Sequence, residues 1–374
     1  MILHFLIHGQ KTEKQFATYA LLQFSAPEMN SEFVVMSFDK KAKDDILYQN
    51  VRIVNPHVKE EMDSLLKSLS DYSAIILHGA FEPWCEVILR NVPESVKVAW
   101  VFWGGEIYGR QELTNAFLAP RSKMVLWIRN VLQGIRKKRV KHYEIPKSLY
   151  KRVNYCLTDM EEEYEFAKEY LDVPEMKYHR YNYYSVEETL GDLSEDCCYG
   201  GNIIIGNSAS IECNFLDAFP VVRRIKRKDS SVIVPLGYGD PWVRNLVLKF
   251  GVIYFGDSFV PLIDYMPRSE YNKVLLSCSS MIQPHYRPQA QGNIITGLWL
   301  GMRVYLSERS FAYQYFKRIG VSVYSIEHDL KHGSVSCEPV DSKVLDNNRR
   351  MLKYWYGKEA MRSRILDLVS VLES

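Results

Sequence analysis

The sequence predicts an α/β protein made of two Rossmann-like domains, each a parallel sheet flanked by helices. Short apolar, β-rich runs alternate with segments of helical periodicity, which is typical of βαβ units. The alternation occurs in two series, and a polar stretch rich in Glu, Asp and Gly at 185–201 separates them. A chain of 374 residues is also long enough for two domains.

The first series predicts an N-terminal domain over residues 1–190. Its expected strands are Ile2–His8, Phe33–Phe38, Ala74–His78, Val96–Trp103 and Asn154–Thr158. The segments between them with helical spacing include Lys14–Ala26, Glu60–Leu69 and Glu82–Asn91.

The second series predicts a C-terminal domain over residues 200–340, followed by helices over 341–374 that pack on the outside. Its expected strands are Asn202–Gly206, Ser231–Pro235, Val252–Phe255, Val274–Ser277 and Val304–Ser307. Its expected helices are Ile211–Arg227, Trp242–Phe250 and Ile294–Leu300. We expect the two domains to face each other across a crevice, with ligands beyond the carboxyl ends of the strands.

The composition is that of an ordinary globular protein, with 47% hydrophobic residues, 25% charged residues and a formal net charge of +2. This balance argues against disordered, collagenous and nucleic-acid-coating proteins. The seven cysteines are an odd number without a CxxC pair, which favours reduced thiols. Because we find neither a signal peptide nor a membrane span, we expect a cytoplasmic protein that is soluble or peripheral.

One segment, 121–152, is strongly basic, with eleven Lys and Arg residues against the single acid Glu144. Apolar residues, Trp127 among them, are interleaved at roughly helical spacing. Such a segment binds an anionic membrane surface, and the alternative is a solvated helix that caps the N-terminal domain. No aromatic RNA-binding motif accompanies it, so we do not expect a nucleic-acid partner.

Three loops of the C-terminal domain carry candidate binding residues for a nucleotide-diphosphate donor. Each loop follows an expected strand and opens a helix whose N-terminus attracts phosphate. The alternative for each is a turn that only caps its helix. The candidates are Gly206, Asn207, Ser208, Gly237, Tyr238, Arg287, Gln291, Gly292 and Asn293.

The sequence lacks the patterns of the common nucleotide and metal sites. Neither GxGxxG nor GxxxxGKS occurs, so neither dinucleotide binding nor P-loop chemistry follows. Without HExxH or DxD we expect no metal ion and no cofactor, and a leaving diphosphate would be neutralised by cations and helix ends.

Three residues of the N-terminal domain are candidates for catalysis. Glu106 lies between glycines and aromatic residues directly after an expected strand, where it could act as a general base or orient the acceptor. A structural role, as a cap of the next helix or a partner of Arg110, is the alternative. His8 and His78 each end an expected strand, although a histidine in such a place is more often structural.

Five motifs in order resemble the bacterial 4-α-L-fucosyltransferase family. They are HGAF at 78–81, WGGEIY at 103–108, GNSAS at 206–210, VPLGYGDP at 234–241 and QAQGNI at 289–294. The chain departs from the family at 106, where the family usually has Asp, and at 213–215, where Cys-Asn-Phe replaces a common Asn-Asn-His.

The resemblance implies a GT-B glycosyltransferase that is peripheral to the inner membrane. Its C-terminal domain would hold a nucleotide sugar that is dTDP-linked and carries a fucose-like deoxyamino sugar. Its acceptor would be a polyprenyl-diphosphate-linked glycan of bacterial surface polysaccharide synthesis. Two other functions remain open: a non-catalytic sugar-nucleotide-binding scaffold of a capsule assembly complex, and a GT-B sugar-nucleotide epimerase.

Overall fold

A computed structural model of the chain describes residues 1–7, 31–39, 51–113, 115–133, 143–330 and 338–374. The chain divides into two compact units. The first unit comprises Met1–Gln111, Lys141–Ser185 and Lys358–Ser374, and the second comprises Glu112–Val140 and Val186–Gly357. His8 and the expected helix at 14–26 lie outside the described residues.

Each unit contains one sheet, and every pairing between described strands is parallel. In the first unit the strand order is β3-β2-β1-β4-β5-β6-β7, with β1 Ile2–Ile7, β2 Ser31–Met36, β3 Arg52–Val54, β4 Ala74–His78, β5 Lys97–Val101, β6 Tyr155–Thr158 and β7 Lys177–Arg180. In the second it is β10-β9-β8-β11-β12-β13, with β8 Asn202–Ile205, β9 Val232–Pro235, β10 Phe259–Leu262, β11 Cys278–Gln283, β12 Arg303–Leu306 and β13 Tyr324–Ser325. The predicted α/β class with two Rossmann-like sheets is confirmed.

The described helices connect and cover these strands. In chain order they are α1 Lys59–Ser68, α2 Pro83–Asn91, α3 Gly105–Tyr108, α4 Pro120–Gln133, α5 Glu161–Leu171, α6 Val186–Leu190, α7 Phe215–Ile225, α8 Pro241–Phe255, α9 Arg268–Leu276, α10 Gln291–Leu300, α11 Phe311–Arg318, α12 Ser342–Tyr356 and α13 Lys358–Glu373. Strand order reverses between β1 and β4 in the first sheet and between β8 and β11 in the second. Ligands of open parallel sheets bind where the order reverses, beyond the carboxyl ends of the strands.

Two strands predicted in the second unit are wrong. Residues 252–255 form the last turn of α8, and residues 274–276 end α9, so that the strand begins only at Cys278. The start of helix α8 is stabilised by an N-cap, because the Asp240 carboxylate accepts a hydrogen bond from Trp242 N at 2.8 Å. It runs on to Gly256, whose φ of +54° ends the helix. A short apolar run cannot by itself be distinguished as helix or strand.

The predicted bounds place the whole basic segment 121–152 in the N-terminal domain. In the structure its first part groups with the second unit. Backbone groups ahead of and within the first turn of α4 are held by the second unit, where Asn214 Oδ1 accepts from Ala119 N at 2.8 Å. Asp217 accepts from the backbone N–H groups of Arg121 and Ser122, each at 3.0 Å. These bonds satisfy amides that a helix start leaves free. Residues 112–140 therefore group with the second sheet.

The C-terminal helices also divide between the two units. Helix α12 belongs to the second unit, whereas α13 returns to the first. Ile365, Leu368 and Leu372 of α13 join the apolar core beneath β1, β4 and β5. The Lys97 ammonium fixes the end of the helix by donating to Val371 O at 2.9 Å. One face of helix α13 is therefore part of the first core, while Leu366 on the same helix is exposed.

We expect Leu368→Ala to lower the free energy of unfolding of the first unit by about 2–5 kcal/mol, the usual cost of such a core truncation. Leu368 is 2% exposed, whereas Leu366 on the same helix is 43% exposed. Leu366→Ala is the matched control and should change stability by less than about 0.5 kcal/mol. Urea denaturation followed by far-UV circular dichroism measures both, and equal effects would refute this packing.

Candidate functional site

The first group of candidate residues lies at the carboxyl ends of β4 and β5. Gly79 follows β4 with a φ of +93°, a conformation that other residues rarely adopt. A Cβ at this position would lie 2.7 Å from the ring of Phe81. Gly79 therefore allows both the turn and the close packing of Phe81. After β5, Gly104 has a φ of +91° and starts the short helix α3, which carries Glu106.

Glu106 is buried, with 5% of its surface exposed, and one of its carboxylate oxygens gathers three donors. Oε1 accepts from Ala80 N at 3.2 Å, from Trp100 Nε1 at 3.3 Å and from Trp103 N at 3.3 Å. Oε2 is buried and has no hydrogen-bond partner among the described residues. The carboxylate thus ties the loop after β4 to the strand and loop of β5.

The pKa of Glu106 lies above its ordinary value because burial penalises the charged form. The three hydrogen bonds act in the opposite direction. Arg110 does not pair with this carboxylate, since its Nε donates at 3.0 Å to the backbone oxygen of Glu106. Arg110 instead donates to Ile145 O at 2.7 Å, and its guanidinium lies 3.9 Å from the Glu144 carboxylate. Pairing with Arg110 is therefore not what holds the Glu106 side chain.

His78 is buried in a row of hydrogen-bonded side chains. Its Nε2 lies 3.1 Å from His4 Nδ1, and its Nδ1 lies 2.9 Å from the Tyr183 hydroxyl. At the far end of the row, His4 Nε2 lies 3.2 Å from Ser31 Oγ. Burial lowers the pKa of His78 well below its ordinary range and that of His4 to about 3, so both rings are neutral. Tyr183 therefore connects the buried His78 ring to the edge of the sheet.

In the second unit, the loops after β8 and β9 meet. Asn207 Nδ2 donates to the Tyr238 hydroxyl at 3.0 Å. Ala209 N donates to Tyr238 O at 2.7 Å, which joins the two backbones. Gly206 has a φ of +65°, and a Cβ there would lie 2.7 Å from the ring of Phe215. The structure thus brings together candidates from two separate motifs, with Tyr238 half exposed beside Asn207.

Ser208 and Gly237 complete these two loops in different surroundings. Ser208 is buried, and its Oγ lies 3.7 Å from Cys213 Sγ. Gly237 is exposed, and a Cβ there would lie 3.2 Å from Asp264 O. Ser208 therefore faces the interior of the unit, and Gly237 lies at its surface.

Arg287, in the loop after β11, is held by an acidic residue that the sequence did not single out. Its Nε and Nη2 donate to Glu212 Oε2 at 2.9 and 2.5 Å. Gln289 Nε2 donates to the same oxygen at 3.1 Å. Glu212 lies in the turn between β8 and α7, directly after the GNSAS motif. It fixes the Arg287 side chain and neutralises part of its charge.

The start of α10 carries the remaining three candidates. Among the described residues no side chain caps this helix, and Ala290 before it has a left-handed φ of +57°. Gly292 is exposed, so the first turn is accessible. Asn293 Nδ2 donates to the Tyr271 hydroxyl at 3.2 Å, whereas Gln291 Nε2 donates to the Tyr356 hydroxyl of α12 at 3.3 Å. The first turn therefore presents Gly292 and Asn293, and Gln291 joins α10 to α12.

His285 is a further residue of this edge that sequence reasoning did not select as a site. It is 2% exposed, and its Nε2 lies 3.1 Å from Asn207 Oδ1 and 3.2 Å from Cys213 Sγ. Burial lowers the pKa of His285 to about 3. The neutral His285 ring therefore helps to hold the Asn207 side chain through this hydrogen bond. The only sequence signal was a histidine two residues after a buried strand.

The basic segment 121–152 is not one element. Its first part is helix α4, on which several large apolar side chains are exposed: Met124, Trp127, Ile128, Val131 and Leu132. Its last part, around the turn Lys147–Arg152, belongs to the first unit, where Arg152 donates to Val92 O and Pro93 O. Residues 134–142 lie outside the described residues. No helix in the described part of the chain is long and apolar enough to cross a membrane.

Several solved structures share this architecture over nearly the whole chain. Sucrose-phosphate synthase from Thermosynechococcus elongatus has a TM-score of 0.61 and 10% identity over 99% of this chain and 98% of its own. A glycosyltransferase from Rickettsia africae has a TM-score of 0.63 and 9% identity over 99% and 98%. HepE from Anabaena, in complex with UDP, has a TM-score of 0.62 and 9% identity over 99% and 100%. At such identities the likeness establishes the fold, so the predicted GT-B architecture is confirmed.

Neither a protein-family model nor a curated protein sequence matches the chain.

The raised pKa of Glu106 makes a prediction about stability and pH. As pH rises from about 4.5, the unfolded chain releases this proton before the native state does. The free energy of unfolding therefore falls over this range. A Glu106→Gln variant has no proton to release. The stability of the wild type relative to this variant should therefore fall as pH rises through the native pKa. Urea denaturation of both proteins from about pH 4 to about pH 8 measures it; a difference independent of pH would contradict the shift.

Proposed function

We propose that the chain is a glycosyltransferase that transfers a sugar from a nucleoside-diphosphate donor to an acceptor hydroxyl. The observation that carries this proposal is the likeness, over nearly the whole chain, to sucrose-phosphate synthase and to a glycosyltransferase from Rickettsia africae. HepE, one of these proteins, was solved with UDP and with UDP-glucose. The second unit here has polar loops with exposed residues, Tyr238 and Gly292 among them, at the carboxyl edge of its sheet.

The donor binds, in this proposal, to the loops after β8, β9 and β11. Asn207 and Tyr238 lie at hydrogen-bonding distance from each other and offer an amide and a half-exposed ring for the nucleoside. The uncapped start of α10, with Gly292 and Asn293, offers backbone N–H groups and the positive end of the helix dipole to the diphosphate. Arg287 adds positive charge, reduced by its ion pair with Glu212.

In the reaction the acceptor oxygen bonds to the anomeric carbon while the bond from that carbon to the diphosphate breaks. The hydroxyl proton passes to a base, and the diphosphate leaves with its charge stabilised by the helix end and by Arg287. Because the sequence has no DxD pattern, the proposal assigns this stabilisation to the protein alone.

Glu106 has a positioning role in this proposal. Its Oε1 is saturated by three N–H donors, and both carboxylate oxygens lie away from solvent. A base must reach the hydroxyl that it deprotonates. The carboxylate instead fixes the loops at the end of the first sheet, where the acceptor binds. His78 supports the same edge through Tyr183.

The finer assignment follows the motifs that resemble the 4-α-L-fucosyltransferase family. We propose a fucose-like deoxyamino sugar on a dTDP donor and a polyprenyl-diphosphate-linked glycan acceptor, in bacterial surface polysaccharide synthesis. The five motifs lie at the ends of β4, β5, β8 and β9 and at the start of α10, where a ligand of each unit binds. A scaffold without activity, or an epimerase, is the function if the protein binds a nucleotide sugar but releases no nucleoside diphosphate during turnover.

Binding to an anionic inner-membrane surface is proposed for helix α4. Trp127 and Leu132 are 66% and 80% exposed, and Arg121 and Lys123 belong to the same helix. Apolar side chains of such a helix enter the lipid interface, and each nearby cation adds about 1 kcal/mol on an anionic surface. A peripheral position of this kind suits a lipid-linked acceptor.

Thermal-shift measurements with UDP-, GDP- and dTDP-sugars test donor binding, since a ligand of the native state raises the melting temperature with occupancy. We expect one nucleotide to give the largest shift and Tyr238→Ala to weaken its affinity roughly tenfold, about 1.4 kcal/mol. Tyr354→Ala is the matched control, because Tyr354 of α12 is 66% exposed in the same unit. A protein that no nucleotide sugar stabilises, or equal losses in both variants, would overturn the donor site.

Flotation with phospholipid vesicles tests the membrane surface. We expect the wild type to float with vesicles that contain phosphatidylglycerol and to be released by salt, which screens the cations. The double variant Trp127→Glu, Leu132→Glu should remain at the bottom of the gradient. Ile253→Glu is the control, because Ile253 is 65% exposed on α8 of the same unit. Equal flotation of both variants would show that α4 is not the membrane surface.

A further inference from the structure

We propose that Phe81, Trp103 and Tyr183 form an aromatic platform that binds a sugar ring by stacking against its apolar face. The inference rests on the proposed function and deepens it, because it names the residues and the ligand chemistry of the acceptor side. The three residues come from three separate loops at the carboxyl edge of the first sheet, after β4, β5 and β7.

The three rings adjoin one another and are all half-buried. The ring centroids of Phe81 and Trp103 are 5.8 Å apart, at an interplanar angle of 54°. Trp103 and Tyr183 are also 5.8 Å apart, with their rings nearly perpendicular at 87°. These spacings are typical of favourable aromatic contacts. Phe81 and Tyr183 therefore hold Trp103 from two sides.

A row of hydrogen bonds fixes the orientation of the Trp103 indole. Its Nε1 donates to the Tyr183 hydroxyl at 2.8 Å. Because an indole N–H can only donate, the Tyr183 oxygen accepts here, and its own proton is available to His78 Nδ1 at 2.9 Å. His78 in turn contacts the buried His4. The two buried histidines of this neutral row thus help to fix the position of the half-buried Trp103 indole.

The backbone of Trp103 is held as firmly as its side chain. Its N–H donates to Glu106 Oε1, which also binds Ala80 N beside Phe81. The distance between the two loops thus depends on one carboxylate. At Gly105, two residues further on, an added Cβ would meet no atom within 4 Å. Among the described residues, the surface beside Trp103 is therefore open at Gly105.

A sugar ring is the ligand that this chemistry favours. One face of a pyranose carries C–H groups and stacks on an aromatic ring, while its hydroxyls bind polar groups at the rim. Here the exposed backbone around Gly105 provides such a rim. A pre-oriented aromatic residue loses little conformational entropy on binding. A nucleobase also stacks on aromatic rings, and the experiment below separates the two ligands.

Saturation-transfer NMR with methyl β-glucoside, methyl α-mannoside, N-acetylglucosamine and cellobiose tests the platform, with xylitol as a polyol that lacks a ring. We expect at least one of the sugars to bind through its ring C–H protons and xylitol to give no signal. Trp103→Ala should raise the dissociation constant of that sugar at least about tenfold. Trp103→Leu keeps apolar bulk without an aromatic face and should weaken binding similarly if the alanine variant does not fold.

Two tyrosines provide a matched pair for the positioning row. Tyr183→Phe removes the hydroxyl that binds Trp103 and should weaken sugar binding several-fold, with far-UV circular dichroism confirming that the variant is folded at the temperature of the binding measurement. Tyr181→Phe removes a buried hydroxyl that has no partner among the described residues, and it should leave sugar binding unchanged. Equal effects of the two substitutions would overturn the positioning of Trp103 by Tyr183.

The platform is overturned if none of the sugars binds, or if Trp103→Ala and Trp103→Leu bind sugar as the wild type does. It is also overturned if UDP or dTDP, rather than a sugar, loses affinity in the Trp103 variants, because the platform then takes a nucleobase. The proposed function has a separate readout, the thermal shift with nucleotide sugars. If nucleotide sugars still raise the melting temperature while no sugar binds, only the platform proposal is overturned and the proposed function stands.

Discussion

The buried carboxylate of Glu106 is the constraint on which the edge of the first sheet depends. Three N–H groups from two loops and one strand converge on a single oxygen, Oε1. Each of these buried donors would cost about 1–3 kcal/mol if it were left unpaired. The backbones after β4 and β5 are thereby locked together, and the positions of Phe81 and Trp103 follow.

Much of the fold could be predicted from the sequence because hydrophobic periodicity reports burial. β4 begins at Ala74 and ends at His78 as expected, and β8 ends one residue before its predicted limit. The failures have a common cause. The run 252–255 is rich in β-branched and aromatic residues, yet it continues a helix that Asp240 had already started. The Asp240 cap and the packing of α8 outweigh the local strand propensity of 252–255. Neither effect can be recognised from a few residues of sequence.

The candidate site was predictable by position but less so by contact. Asn207 and Tyr238 come from distant motifs and do meet, because parallel strands deliver their following loops to the same edge. Glu212 and His285 were missed, since a partner 75 residues away leaves no local signal. The same limit applies to Glu106. Its unusual place between glycines drew attention, but only coordinates reveal that Trp100, Trp103 and Ala80 share its oxygen.

The most direct test is the kcat of the Glu106→Gln variant with the nucleotide sugar that binds best. Release of the nucleoside diphosphate measures this kcat. Glutamine keeps an oxygen for the three N–H donors but cannot take a proton. If Glu106 positions the loops, kcat stays within a few-fold of the wild type. A fall in kcat of about 10²–10⁴, with donor binding intact, would identify Glu106 as the general base and contradict the account.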